Sequence, residues 1–333
     1  MSRAMRSQRF LVGLAIGLLL AGGGWGILLL AQMGRPSPES QWVEQAYAHK
    51  LGAAQQVRGR RMLIVGGSGA MFGLDSVVLA KGLGLPVINL SVNAGIQSAY
   101  IRLYARQALR PGDWVLFPLE YPLFHDRFAV SYPFLDYWLS HPSFSSLGTN
   151  PVQLARIYWQ ASLYRIWLGL KGLPDGFAPN GLYGPQNLDI NGDQVRTEAS
   201  RQEPWMREAV QASPVHQYGR EASPLNATWS EWQALAEEVE RQGGCAVFIP
   251  PALLNREAYH RGKEHAYYAE LPDRARAEGL NYHGEPFSFM YPEENFFDTN
   301  YHLNAEARKR HTEAVLKVIR PAFGRCANTM QKD

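Results

Sequence analysis

Four apolar residues at positions 62–65 (MLIV) run straight into Gly66, Gly67, Ser68 and Gly69. A short apolar run bounded by glycines is a buried strand closed by a tight turn, and the weakly helical residues that follow make the turn lead into a helix. A strand, turn and helix of this kind place Ser68 at the C-terminal edge of a sheet, where ligands meet parallel α/β proteins. The flanking glycines permit unusual backbone angles and close approach of a substrate to the main chain.

The same pattern recurs twice. Residues 87–90 (VINL) read as a second buried strand, ending in a loop with Asn93 and Gly95, and residues 114–118 (WVLFP) as a third, leading into Glu120. Helical segments at 74–82 and 96–109 separate them. Alternation of this kind predicts βαβ units and an α/β fold with a parallel sheet. From 121 to about 224 the regularity gives way to aromatics, prolines and turn residues, with one helix expected over 152–169 and turns or a short hairpin over 180–193. This stretch reads as an insertion capping the sheet, its aromatics mostly packed against the core. The pattern resumes at Thr228, whose spacing to Glu231 is that of a capping box. A fourth strand is expected at 245–249, a helix at 255–278 and a fifth strand at 286–290. Asn304 can cap a last helix with Ala307, Ala314, Val315, Val318 and Ile319 as its apolar stripe.

The N-terminus sets the setting. Residues 1–9 carry three arginines and no acid, and residues 10–33 hold no charge at all. That run is long enough to cross a bilayer as a single helix, and the positive flank keeps the N-terminus in the cytoplasm. A cleaved signal peptide competes, but the run exceeds the usual apolar core of one and no convincing cleavage site follows. The expected organisation is a cytoplasmic tail (1–9), a transmembrane anchor (10–33), a linker and first helix (34–56), a domain over 57–323 and a tail (324–333). With 333 residues, 46% of them hydrophobic, the chain can bury one sizeable core. A net charge of +3 without a basic cluster argues against nucleic-acid binding. Cys245 and Cys326 are the only cysteines, so there is no zinc spacing. Cys245 reads either as a buried core residue or, outside the cytoplasm, as one half of a disulfide.

A serine hydroxyl needs a base to take its proton and a third group to orient that base. Of the nine histidines, His302 is best placed, in the loop before the last helix, with Asp298 four residues earlier. The chain order Ser68, Asp298, His302 suits a parallel α/β enzyme. His283 is the fallback base. No metal or cofactor is called for.

These blocks resemble the SGNH/GDSL hydrolase superfamily. GGSGAMFG (66–73) is similar to its nucleophile block, INLSVNAG (88–95) to the block whose glycine amide binds the oxyanion, and FFDTNYHLN (296–304) to the block carrying acid and histidine. The resemblance implies a three-layer fold with Ser68, Asp298 and His302 as a triad and the Ser68 and Gly95 amides as oxyanion donors. Two departures stand out. Acid and histidine are spaced D-x-x-x-H rather than D-x-x-H, and the place of the family's third-block asparagine reads Pro118-Leu119-Glu120-Tyr121. Asn93 is a substitute donor, and Glu120 reads either as a substrate-binding acid or as a strand-end cap. A membrane-anchored, extracytoplasmic domain of this type is most similar to the acyltransferase branch, with the alginate O-acetyltransferase and D-alanyl transfer proteins. The resemblance implies transfer of an acyl group to a polysaccharide, with a multi-spanning membrane acyltransferase or export complex as partner. A carbohydrate esterase with the same triad, and an inactive polysaccharide-binding scaffold, are the alternatives.

Overall fold

The computed structural model describes residues 3–142 and 150–330. In chain order the elements are α1 (Arg3–Leu30), α2 (Pro38–Gln56), β1 (Met62–Ile64), α3 (Ser68–Gly73), α4 (Ser76–Leu83), β2 (Val87–Asn89), α5 (Gln97–Ala108), β3 (Trp114–Phe117) and α6 (Tyr132–Ser140). They continue with α7 (Pro151–Gln160), α8 (Leu163–Lys171), α9 (Pro204–Ala212), α10 (Tyr218–Glu221), α11 (Trp229–Arg241), β4 (Cys245–Phe248), β5 (Leu253–Leu254), α12 (Gly262–Ala277), β6 (Met290–Tyr291) and α13 (Ala305–Met330). Two compact units divide the chain: Met1–Gln41 with Val130–Phe177, and Trp42–Ala129 with Ala178–Asp333. The first half of the expected insertion therefore belongs with the N-terminal helix, not with the sheet.

In the larger unit the strands form one parallel sheet in the order β2-β1-β3-β4, with Met62 beside both Val87 and Trp114 and with Trp114 beside Cys245. Every residue of these strands is buried, as expected of strands covered on both faces. Ile64, Leu116 and Val247 pack with Leu79 of α4 and with Val315 and Ile319 of α13. Trp114 stacks on Phe323 at 4.7 Å. Burying each such side chain contributes about 1.5–3 kcal/mol. At the opposite strand ends Arg61 pairs with Asp113 at 3.0 Å, both buried, and donates to the Ala54 and Ala108 carbonyls. The chain goes from β1 outward to β2 and then returns to the other side of β1 as β3. The C-terminal ends of β1 and β3 thus flank the switch point of the sheet, where a crevice opens.

Several expectations change. The apolar run at 286–290 is a 3-10 turn, Pro286–Phe289, because Pro286 lacks an amide and the Ser288 amide closes onto the Glu285 carbonyl at 3.0 Å. Only Met290 and Tyr291 remain extended, and they pair with β5 in a separate two-stranded sheet. Beyond β4 the main sheet gains a single bridge, Phe248 to Tyr282. The helix expected over 152–169 is two, since the Ser162 hydroxyl caps α8 at the Arg165 amide, 3.1 Å away. The segment 255–278 begins as a 3-10 turn, Glu257–His260, before α12. The capping box at Thr228 does not form: its hydroxyl donates to the Leu123 carbonyl at 2.7 Å, and Glu231 pairs with Arg127 at 3.0 Å. The cap at Asn304 does form, its Oδ1 accepting from the Ala307 amide at 2.9 Å. Cys245 and Cys326 are joined in a disulfide.

In the smaller unit, Ser7–Leu30 is long and apolar enough to cross a membrane, three residues short of the expected end. The segment 143–149 lies outside the described residues.

Candidate active site

Three strand ends supply the site. From Arg61 to Leu74 every residue is buried except Ser68, which α3 presents at its first position. The glycines around it are there for close packing, not for an unusual backbone: Gly67 has φ −95°, and a Cβ on it would meet Ala94 and Glu120 Oε1 at 2.5 Å. Glu120, following β3, takes up that space. Its Oε2 accepts from the Gly67 amide at 2.9 Å and its Oε1 from the Gly69 amide at 2.7 Å. Glu120 is therefore a buried clamp on the Ser68 turn, and the substrate-binding reading is set aside. Burial pushes its carboxyl above the ordinary value, and the two amides pull the other way. The Ser68 amide between them has no protein partner among the described residues.

The base and its orienter come from one loop. The Phe297 amide donates to the His302 carbonyl at 2.8 Å, and Phe296 bridges Leu303, so the chain closes on itself between them. Inside that closure the four-residue spacing sets His302 Nδ1 2.8 Å from Asp298 Oδ1. Both side chains are nearly buried. Phe72 stacks flat on the imidazole, centroids 4.0 Å apart at 8°. Burial would raise the Asp298 carboxyl, but the imidazole and the Tyr183 hydroxyl outweigh it and hold it below its ordinary value. Asp298 is thus a carboxylate that orients the ring.

Ser68, Asn93, Tyr183, Asn300 and His302 line one cavity of about 320 Å³, with Trp42, Thr299 and Tyr301. No hydrogen bond joins Ser68 to His302; both line this cavity. Asn93 and Gly95 are brought to the same edge, but not as expected. The Gly95 amide donates to Asn93 Oδ1 at 2.7 Å and so is not a free oxyanion donor. That bond turns Asn93 Nδ2 into the donor left over. Asn300 Nδ2 is buried without a partner among the described residues.

Sequence reasoning misses Tyr183, whose hydroxyl donates to Asp298 Oδ2. It also misses Trp42, whose ring lies 5.6 Å from that of Tyr183. The Tyr183 loop is fixed from below. Gln194 Nε2 and Asn187 Nδ2 donate to the Leu182 carbonyl at 3.0 and 2.9 Å, and Asp193 accepts from Ser76 and Asn89. Lys50, fully buried, donates to the Ser91 carbonyl and, at 2.7 Å, to that of Gly192. Burial pushes the Lys50 ammonium down to about 7.

His283 does not line the cavity; its Nε2 meets Asn281 Oδ1 at 2.7 Å. A larger cavity of about 530 Å³ lies among Phe124, His125, Trp229 and Tyr267. Its histidine has no bonded carboxylate, Glu221 being 4.0 Å away, and burial pushes it down to about 4. Size alone does not make it the reactive site. Among the described residues no group of three or more histidines, cysteines or acids is arranged to hold a metal ion.

Compared with known proteins, the chain matches no family model, no curated protein and no solved structure.

Proposed function

We propose that this chain is a membrane-anchored serine acyl-enzyme of the SGNH type, an O-acetyltransferase acting on a cell-surface or exported polysaccharide through an acyl-Ser68 intermediate. One observation carries the reading. The sole partly exposed residue of a buried turn, Ser68, shares a cavity with an imidazole that is stacked on Phe72 and held at Nδ1 by Asp298.

In this reading His302 Nε2 takes the Ser68 proton as Oγ bonds to the acyl carbon. Asp298 keeps its charge and stabilises the imidazolium. The Ser68 amide and Asn93 Nδ2 receive the oxyanion, each such donor being worth roughly 10²–10³ in rate. The tetrahedral adduct collapses, and the leaving group departs with the proton from His302. A sugar hydroxyl then gives its proton to His302 and attacks the acyl carbon, and Ser68 Oγ leaves with that proton from His302. The Trp42–Tyr183 ring pair offers the sugar an apolar face. The disulfide fits an oxidising compartment, and the arginines before α1 fit an inner-membrane helix with the enzyme on the periplasmic side. A multi-spanning acyltransferase is the class of partner that brings the acyl group to that side.

Water in place of the sugar hydroxyl makes the same site a carbohydrate esterase. An inactive polysaccharide-binding scaffold draws support from the engaged Gly95 amide. Intact mass of the full chain after incubation with an activated acetyl ester separates these. Wild type gains one acetyl group and Ser68→Ala none; oligosaccharide discharges it by transfer, water by hydrolysis. A wild-type chain that stays unmodified while folded overturns the acyl-enzyme.

A further inference from the structure

The helix α8 is built with its apolar side outward, and α7 beside it exposes a tryptophan. In α8 the inward side carries Arg165, which pairs with Asp136 and donates to the Arg35 carbonyl at 2.7 Å and to Ser140 Oγ at 3.1 Å. The outward side carries Leu163, Tyr164, Trp167 and Leu170, which are 73%, 60%, 52% and 57% exposed. These positions follow i, i+1, i+4 and i+7 and form one stripe. In α7, Ile157 is buried while Trp159 is 81% exposed. A buried, ion-paired arginine inside and a row of tryptophan and leucine outside is the reverse of a helix made to face water. An apolar patch of this kind marks a surface with a partner.

Two hydrogen bonds fix the level of α7 along α1. Tyr158 donates its hydroxyl to the Gly22 carbonyl at 2.6 Å, and Trp25 Nε1 donates to the Tyr158 carbonyl at 2.8 Å. Gly22 and Trp25 lie within the apolar stretch Ser7–Leu30, not beyond it. At 1.5 Å rise per residue, Gly22 is about 12 Å short of the end of the helix. A helix bonded there stands at bilayer depth if α1 crosses the bilayer. Lys171, at the end of α8, sits 5.1 Å from the centre of the Trp167 ring, a cation over an aromatic face as at a headgroup boundary.

We propose that α7 and α8 lie in the membrane interface, on the leaflet at the C-terminal end of α1, with Trp159, Leu163, Trp167 and Leu170 in contact with acyl chains. The inference rests on the reading of α1 as a membrane span. Lipid rather than a protein is the occupant because α7, which leads directly into the stripe, is bonded to the span itself, and the stripe has the tryptophan, tyrosine and terminal lysine of an interfacial helix.

The test is tryptophan quenching in the full chain, reconstituted into phosphatidylcholine–phosphatidylglycerol vesicles whose acyl chains carry bromine near the headgroup. Trp25→Phe reports the span, and the double variant Trp159→Phe/Trp167→Phe reports the stripe; far-UV circular dichroism checks that each is folded. The expected result is that each variant loses part of the quenched emission of wild type, the double variant the larger part. Quenching lost in Trp25→Phe but unchanged in the double variant overturns the proposal while leaving the span intact, and gives the stripe to a protein partner. Absence of quenching in wild type overturns the span and this proposal with it.

Discussion

Glu120 brackets Ser68, its two carboxylate oxygens taking the amides on either side and leaving the serine amide without a partner among the described residues. The chain thereby uses one buried charge to hold the turn that presents the hydroxyl. In Glu120→Gln one of the two acceptors becomes a donor aimed at an N–H. A hydrogen bond to a charged group contributes about 1.5–3 kcal/mol, and relief from burying the charge offsets part of its loss. The expected outcome is a small fall in melting temperature with a larger fall, about ten-fold, in the rate of Ser68 acylation. Equal rates in the two proteins would show that the clamp does not position Ser68.

In the proposed acyl transfer, Tyr183 is a positioning residue. Its hydroxyl touches Asp298 on the oxygen that His302 does not use and lies 3.4 Å from His302 Nδ1, so in the proposed reaction the hydroxyl acts through that pair while the ring faces the sugar. Removing its hydroxyl in Tyr183→Phe leaves the ring against Trp42 and Phe72 but frees Asp298 to turn. Acylation is expected to slow about ten-fold or more, as for one charge-assisted bond, with a changed pH–rate profile and unchanged stability within about 1–2 kcal/mol. A slower reaction with the wild-type profile would assign Tyr183 to substrate contact instead.

Much of this site is legible in the sequence, because the signals are local. An apolar run meeting glycines gives β1 and the Ser68 turn, and Asp298 and His302 lie within one short loop. Tyr183 is not legible. Its place depends on Lys50, Asn89 and Ser76 holding the loop from far away in the chain, and nothing at 180–193 announces those bonds. Glu120 is half legible, since a strand-end acid is visible but not which amides it takes. The Phe287 and Phe289 run misleads because an apolar stretch looks extended whether or not a proline starts it as a turn. The aromatics at 159–170 mislead for a different reason. Helical period tells which side chains share a face, but not whether that face meets protein or something else.

The disulfide closes a separation of 81 residues between β4 and α13, two elements that also pack through the core. Loop-closure entropy of this size corresponds to about 4.5 kcal/mol, an upper figure since the unfolded chain retains structure. Cys245→Ala/Cys326→Ala should therefore melt lower by several degrees, and reductant should lower the wild type toward the variant without affecting the variant. Identical melting with and without reductant would remove the disulfide from the stability of this fold.

Acid should weaken the fold through Asp298 in a definite sense. Its folded-state carboxyl is held below the ordinary value of 3.8 by His302 and Tyr183, against the effect of burial. The unfolded chain thus binds its proton at higher pH than the folded one, and stability rises with pH wherever that difference exists. The contribution of Asp298 is fully present above the ordinary value and disappears as pH falls through the folded-state value. Denaturant melts of wild type and Asp298→Asn from pH 7 down to pH 3 measure it directly. The two curves should keep a constant separation near neutrality and converge on acidification. A separation that stays fixed to the lowest pH, or widens there, would mean that the imidazole and phenol do not stabilise the carboxylate. The orienting role of Asp298 would then lose its electrostatic basis.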